Sequence, residues 1–112
     1  MNVTRTVPLK TPHTNAFITS ASSGSNEIVA AVAGARYRVL SAVVVTTLAN
    51  SVKFLSAATD ISATFPLGAN GGVVLPFNEH GWFETAVGEA LNINLSVATS
   101  TGVQVHYIRL LA

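Results

Sequence analysis

The chain has 112 residues and a mass of 11.6 kDa, which is the size of one domain, and it contains no cysteine. A disulfide framework and a thiolate metal site are therefore excluded. Its formal net charge of +1 argues against electrostatic binding to nucleic acid or to an anionic membrane. Only 10% of the residues are charged, 49% are apolar and the mean hydropathy is +0.48. These values exclude intrinsic disorder, and they predict a protein that works in an assembly with much of its surface covered.

The N-terminal sequence has no basic segment followed by an apolar run, so we expect no secretory signal and synthesis in the cytoplasm. The most apolar stretch, residues 28–49, is interrupted by Arg36 and Arg38 and predicts buried strands rather than a membrane span. Residues 1–14 contain Pro8 and Pro12 and are expected to form an extended N-terminal arm or an edge strand. The domain itself is expected to span residues 15–112.

Strand signals dominate the rest of the chain, because Val, Thr and Ile occur throughout and suit a pleated surface. The predicted strands, in chain order, are 16–21, 27–33, 37–48, 52–57, 62–67, 73–77, 82–87, 91–97 and 103–107. Residues 20–26 are predicted to form a flexible loop. Short strands at about ten-residue spacing with Gly, Asn and Pro turns predict an all-β sandwich or barrel, specifically a single-domain antiparallel jelly roll of eight to ten strands.

The pattern also predicts how some strands pair. The strand 37–48 is expected to be central and buried on both faces, with a bulge near Ser41-Ala42. Strand 52–57 is expected to be its antiparallel neighbour, and 91–97 is expected to form a hairpin with 103–107. Pro66 and Pro76 lack a donor, so their strands are expected at an edge.

Residues that could carry chemistry are few. His13, His80 and His106 are interpreted as three separate surface or loop histidines, because no metal-ligand spacing is present. Glu84 and Glu89 flank a glycine and are interpreted as ion-pairing or turn-capping groups, with a glycosidase-like carboxylate pair as the alternative. No nucleophile or phosphate-binding motif occurs, so we expect no enzymatic activity and no cofactor.

Two short segments are candidates for contact with a partner. Arg36 and Arg38 lie on one face of a predicted strand and Tyr37 on the other, an arrangement that suits anchoring to partner carboxylates better than binding single-stranded nucleic acid. Trp82 and Phe83 are adjacent in an extended segment, so one should face the core. The other is predicted to lie at an interface or under a neighbouring loop.

Three segments carry a family resemblance: residues 54–62 (FLSAATDIS), 71–78 (GGVVLPFN) and 81–92 (GWFETAVGEALN). With the pattern Gly-Trp-Phe-x-Thr-x-x-Gly-Glu-Ala-Leu, they resemble the small capsid decoration or cement proteins of tailed bacteriophages. The resemblance covers about residues 35–108.

The resemblance implies a jelly-roll-like sandwich that sits on the capsid surface as a dimer or trimer and bridges neighbouring major capsid subunits. It implies a virion protein without catalytic residues, cofactor, nucleic-acid partner or membrane partner. Arg5 and Lys10 are then the expected anchors of the N-terminal arm. The other expected interface residues are Arg36, Arg38, Trp82 and Phe83.

Two alternatives stay open. One is a glycan- or receptor-binding sandwich of a phage tail fibre, with Trp82, Tyr37 or Tyr107 stacking on a sugar. The other is a small sugar hydrolase that uses Glu84 and Glu89.

Overall fold

The computed structural model describes residues 13–111, and these form ten β-strands and no helix. The first five strands are β1 His13–Ser20, β2 Gly24–Val29, β3 Ala35–Thr46, β4 Asn50–Ser56 and β5 Thr59–Asp60. The last five are β6 Phe65–Leu67, β7 Gly72–Leu75, β8 Phe83–Glu84, β9 Leu91–Leu95 and β10 Thr101–Leu111. The described residues accordingly offer no helix long and apolar enough to cross a membrane.

The strands form two antiparallel sheets. The first sheet has the order β1-β10-β3-β7, and β8 continues along the β3 edge beyond β7. The second sheet has the order β2-β9-β4-β5, and β6 pairs with the same edge of β4. Strands β7 and β8 lie along one edge of β3, and β5 and β6 lie along one edge of β4. When each of these pairs is counted as one strand, the two sheets have four strands each, as in a jelly roll. The predicted all-β sandwich is confirmed.

Alternating side chains from both sheets fill the space between them. The inward residues are mostly β-branched or leucine, and burying each one fully contributes about 1.5–3 kcal/mol relative to leaving it exposed. The fully buried members of this core are Tyr37, Val39, Val44, Val52, Phe54, Leu91, Ile93, Leu95 and Val105. The alternation that identified strands 91–97 and 103–107 marks real inward and outward faces over 91–95 and 103–107, but β9 ends at Leu95 and Val97 is exposed.

One end of the core is closed by buried polar groups. The Asn50 side chain is 4% exposed, and its Oδ1 accepts hydrogen bonds from Ser96 Oγ at 2.9 Å and from the Val97 N–H at 3.0 Å. Its Nδ2 faces Thr101 Oγ1 at 3.3 Å, and Thr101 Oγ1 donates to Thr46 Oγ1 at 3.3 Å. These side chains tie both sheets together where turns leave backbone groups without ladder partners.

Strand β3 confirms one prediction and corrects another. The register with β10 shifts between His106, opposite Ser41, and Tyr107, opposite Val39, so Leu40 is the extra residue of a bulge. The bulge lies one residue before the predicted position. The predicted burial on both faces is wrong beyond the bulge, because Val43 and Val45 point outward and are 42% and 51% exposed.

Both predicted strand pairings are wrong. Strand β9 pairs with β2 and β4 in the second sheet, whereas β10 pairs with β1 and β3 in the first, so 91–97 and 103–107 form no hairpin. Strand β4 likewise lies in the sheet opposite β3. In this jelly roll these consecutive strands cross from one sheet to the other, so closeness in sequence does not mean hydrogen bonding.

The first strands begin earlier than predicted. His13 and Thr14 belong to β1, an edge strand of the first sheet, whereas residues 1–12 of the predicted arm lie outside the described residues. Strand β2 covers Gly24–Val29 and not 27–33, because the Asn26 side chain organises the preceding turn. Its Nδ2 donates to the carbonyls of Ser22 and Gly24.

The proline predictions are confirmed, since Pro66 lies in edge strand β6 and Pro76 directly follows edge strand β7.

Candidate interaction surface

The outer side of the first sheet carries an uncharged face with several exposed apolar side chains. The strand register places Phe17, Gln104, Val43 and Val74 side by side in one row across β1, β10, β3 and β7. The next row contains Thr19, Gly102, Val45 and Gly72. Phe17 is 75% exposed and Val74 is 65% exposed. We call these eight residues the apolar face.

A shallow groove runs along the apolar face because Gly102 contributes no side chain. A Cβ added at Gly102 would meet no atom within 4 Å. The open volume is about 310 Å³, and Phe17, Thr19, Val45 and Gln104 stand around it. An aliphatic or aromatic side chain from a partner would fit a groove of this kind, because it would lose apolar surface to water on entering.

The apolar face carries no charge, although nine charged residues lie within the described part of the chain. The cationic end of the same sheet lies beyond the bulge, where Arg38 Nε and Nη2 both contact Glu84 Oε1. Arg36 Nε lies 3.3 Å from Glu84 Oε2, at an angle that makes an ion pair rather than a hydrogen bond. The two arginines flank Tyr37, which is buried, as the alternation predicts. One carboxylate, in register with Arg38, therefore compensates one of the two positive charges.

The two aromatic residues of the Trp82-Phe83 pair separate as predicted. Phe83 packs against the core, with its ring centroid 4.8 Å from that of Phe54. Trp82 is 43% exposed, and its Nε1 donates to the Pro76 carbonyl at 2.7 Å. Trp82 is therefore the member of the pair that remains available at the surface.

The outer side of the second sheet is polar. Ser25, Asn94 and Lys53 form one row in register across β2, β9 and β4, and Glu27 and Asn92 are opposite each other in β2 and β9. Lys53 Nζ pairs with Asp60 Oδ1 at 3.1 Å. The two outer surfaces of the sandwich thus have opposite chemical character.

Glu84 and Glu89 border a cavity of about 480 Å³ with Ser56 and Thr85. Glu84 is held by the arginines, and Glu89 Oε1 accepts a hydrogen bond from Ser56 Oγ. Ser56 Oγ in turn accepts the Ala86 N–H at 2.8 Å. These contacts are the ion pairing and turn capping expected from the sequence, and the hydrolase alternative stays a prediction.

Two of the three histidines are not separate, which corrects the sequence interpretation. His13 Nδ1 and His106 Nε2 lie 2.9 Å apart on the outer side of β1 and β10. Phe77 flanks both rings, with centroids 6.4 Å from His13 and 6.0 Å from His106. The β1–β10 pairing brings together residues 93 positions apart, which no local spacing could indicate. His80 stands alone in an exposed turn, 3.8 Å from Glu79.

A second cavity of about 570 Å³ opens between the sheets where β10 ends. Tyr37 and Tyr107 meet edge to face at 5.4 Å in its wall, and Thr14 and Arg109 line it as well. Tyr37 Oη donates to the Ala30 carbonyl at 2.6 Å, and burial raises the pKa of Tyr37 above its ordinary value of 10.0. The remaining sequence candidates, Arg5 and Lys10, lie outside the described residues.

Comparison with known proteins adds support for the fold. No protein-family model matches the chain, and no curated protein matches it. Among the solved structures that match is a protein of Bacillus endospore appendages, described as a novel family of disulfide-linked pili. It is 16% identical with a TM-score of 0.52, over 89% of this chain and 87% of that chain. Such a likeness shows a shared fold alone, and the 112 residues of this chain contain no cysteine for disulfide links.

Proposed function

We propose that this chain is a structural assembly protein that associates through its apolar face and decorates or cements a bacteriophage capsid. The observation that carries the proposal is the uncharged row of Phe17, Gln104, Val43 and Val74, in which the three apolar side chains are exposed. Exposed apolar patches of this kind mark contact surfaces on proteins that otherwise avoid them. A low charged fraction of 10% fits a chain whose surface is covered in an assembly.

The proposed occupant of the apolar face is a second copy of this chain. The face carries no charge that would require a complementary charge on its partner, so it can pack against its own copy. A dimer or trimer formed in this way would then bridge neighbouring major capsid subunits. Bound copies would stabilise the shell by mass action, because they favour the assembled state. The segment before β1, with Arg5 and Lys10, is the proposed contact with the shell.

Light scattering on a dilution series tests the self-association. We expect a dimer or trimer at low micromolar concentration. Phe17→Glu puts a charge on the apolar face at edge strand β1, and the oligomer should dissociate to monomers. Ser25→Glu puts the same charge on the polar side at edge strand β2 and serves as the matched control. A wild-type monomer at every concentration, or equal dissociation of both variants, would contradict the proposal.

The capsid location needs its own test. Gold-labelled antibodies against this chain should mark the capsid surface of virions from the source that encodes it. Deletion of residues 2–12 should release the protein from those capsids without unfolding the sandwich. Label confined to tails, or no label on any virion, would contradict capsid decoration while leaving self-association intact.

A second candidate function is glycan recognition at the cavity between the sheets. The cavity combines an aromatic side chain, Tyr107, with the Arg109 guanidinium, a pairing that suits sugar hydroxyls and rings. A glycan array with the wild type and Arg109→Ala tests it, with Lys53→Ala as a control that removes a cation elsewhere. Specific binding that only Arg109→Ala abolishes would favour this function.

A further inference from the structure

We propose that His13 and His106 form a binding site for a divalent transition-metal cation of the Cu²⁺, Ni²⁺ and Zn²⁺ class. The two side chains come from neighbouring strands and point to the same outer side of the first sheet. His13 is opposite Ile108 and Asn15 is opposite His106, so the two histidines are diagonal neighbours across the β1–β10 ladder. The site does not depend on the proposed assembly function.

The distance between the two nitrogens fits a shared cation. Two imidazole nitrogens, each about 2.0–2.1 Å from a metal, are about 2.9 Å apart when they subtend a right angle and about 3.4 Å apart at the tetrahedral angle. His13 Nδ1 and His106 Nε2 are 2.9 Å apart. Small side-chain rotations therefore suffice to reach either geometry.

A cation can replace the hydrogen that the two imidazoles share without a change in the number of protons on the pair. In the cation-free pair one nitrogen donates its hydrogen to the other. A cation takes the place of that hydrogen, which moves to the far nitrogen of the same ring. Both rings stay neutral, and each presents a lone pair to the metal.

The surroundings favour an ordered site over two freely rotating histidines. Phe77 lies nearly parallel to the His13 ring, with an interplanar angle of 20°, and packs at 40° against His106. The aromatic wall restricts both imidazoles from one side, while the other side faces outward. A cation there would have two protein ligands and would complete its coordination with water.

Imidazole ligands select the cation. They suit Cu²⁺, Ni²⁺ and Zn²⁺, with Cu²⁺ the tightest, whereas Ca²⁺ and Mg²⁺ require oxygen ligands. Among the described residues no group of three or more His, Cys, Asp or Glu converges, so two ligands set the expected affinity in the micromolar range. This is weaker than a closed structural zinc site.

Titration calorimetry on the full chain, purified without a histidine tag, tests the site with CuCl₂, NiCl₂, ZnCl₂ and CaCl₂. We expect one transition-metal cation per chain and no heat from CaCl₂. His13→Gln and His106→Gln should each weaken Cu²⁺ binding roughly tenfold or more. His80→Gln removes a histidine outside the pair and should bind like the wild type. Absence of Cu²⁺ binding below millimolar concentration, or equal loss in His80→Gln, would overturn the proposal.

Electron paramagnetic resonance of wild-type protein with one equivalent of Cu²⁺ avoids any dependence on the folding of the variants. We expect hyperfine splitting from two equatorial nitrogens. A spectrum with one nitrogen, or with oxygen ligands alone, would overturn the shared site.

Discussion

The two sheets of the sandwich share one core but present opposite outer surfaces. Outward from the first sheet stand Phe17, Val43 and Val74, whereas outward from the second stand Ser25, Asn94 and Lys53. Inward, both sheets supply the same kind of aliphatic and aromatic side chains. Both sheets thus supply the core in the same way, so the difference between their outer surfaces is not a requirement of the core.

An apolar outer surface has a cost when it faces water. Valine and phenylalanine there expose area that favours association, whereas asparagine, serine and lysine keep the second sheet hydrated. The sequence maintains the polar alternation along the whole of β9 but interrupts it along β3 after the bulge. This contrast is the physical basis for assigning association to the first sheet.

The largest expected effect is on the free energy of unfolding, and it distinguishes an inward polar side chain of the second sheet from an outward one. Asn50→Ala should lower the free energy of unfolding by about 2 kcal/mol, because it removes the hydrogen bonds that buried Asn50 makes with Ser96 Oγ, the Val97 N–H and the buried Thr101 hydroxyl. Asn94→Ala on the outer side is the matched control and should change it by about 0.5 kcal/mol or less. Urea denaturation at neutral pH measures both. Equal losses would mean that the polar outer surface is also needed for stability.

A smaller effect is expected when the polar surface is made to imitate the apolar one. The double substitution Ser25→Val and Asn94→Val puts two aliphatic side chains side by side in the central row of the second sheet. Self-association should strengthen roughly tenfold, because each buried methyl or methylene contributes about 0.8 kcal/mol. Sedimentation velocity over a concentration series measures the change. An unaltered association constant would show that apolar character alone does not make a surface of this fold associate.

The smallest expected effect concerns the inner side of the first sheet. Tyr37→Phe removes the hydrogen bond to the Ala30 carbonyl and should cost about 1 kcal/mol near neutral pH. Burial raises the pKa of Tyr37 above 10.0, so above pH 10.0 the folded state holds the phenolic proton more tightly than the unfolded state does. The free energy of unfolding of the wild type therefore falls as pH rises from 10.0 through the folded pKa.

The phenylalanine variant has no phenol at this position and lacks that alkaline loss. The difference in stability between wild type and variant should consequently shrink at about pH 11 relative to about pH 7. Urea denaturation at the two pH values measures it. A difference that stays constant or grows would contradict the assigned role of Tyr37.

The sequence predicts the class of fold well, because the alternation of apolar and polar residues and the positions of prolines are local signals. Alternation identifies β9 and β10, and the prolines at 66 and 76 mark edges. A local signal also indicates the bulge in β3 to within one residue. Each of these features depends on a residue's own backbone or on the side of the strand that its side chain occupies, so the local sequence is enough to predict it.

Pairing and clustering were not predictable in the same way. The interpretation of residues 91–107 as a hairpin failed because β9 and β10 lie in different sheets, and loop length alone does not reveal that crossing. The proximity of His13 to His106 depends on the β1–β10 ladder, which joins the two ends of the described chain. The apolar face likewise appears only when four strands are placed in register.

The most direct test of the apolar face uses the absence of cysteine from the sequence. Val45→Cys places one thiol on the apolar face, and Asn94→Cys places one on the polar side, each in an inner strand. The rate of thiol labelling is measured for each variant at low and at high protein concentration. We expect labelling of Val45→Cys to slow at high concentration, while Asn94→Cys reacts at the same rate throughout. Equal rates for Val45→Cys at both concentrations, or protection of Asn94→Cys instead, would contradict association through the first sheet.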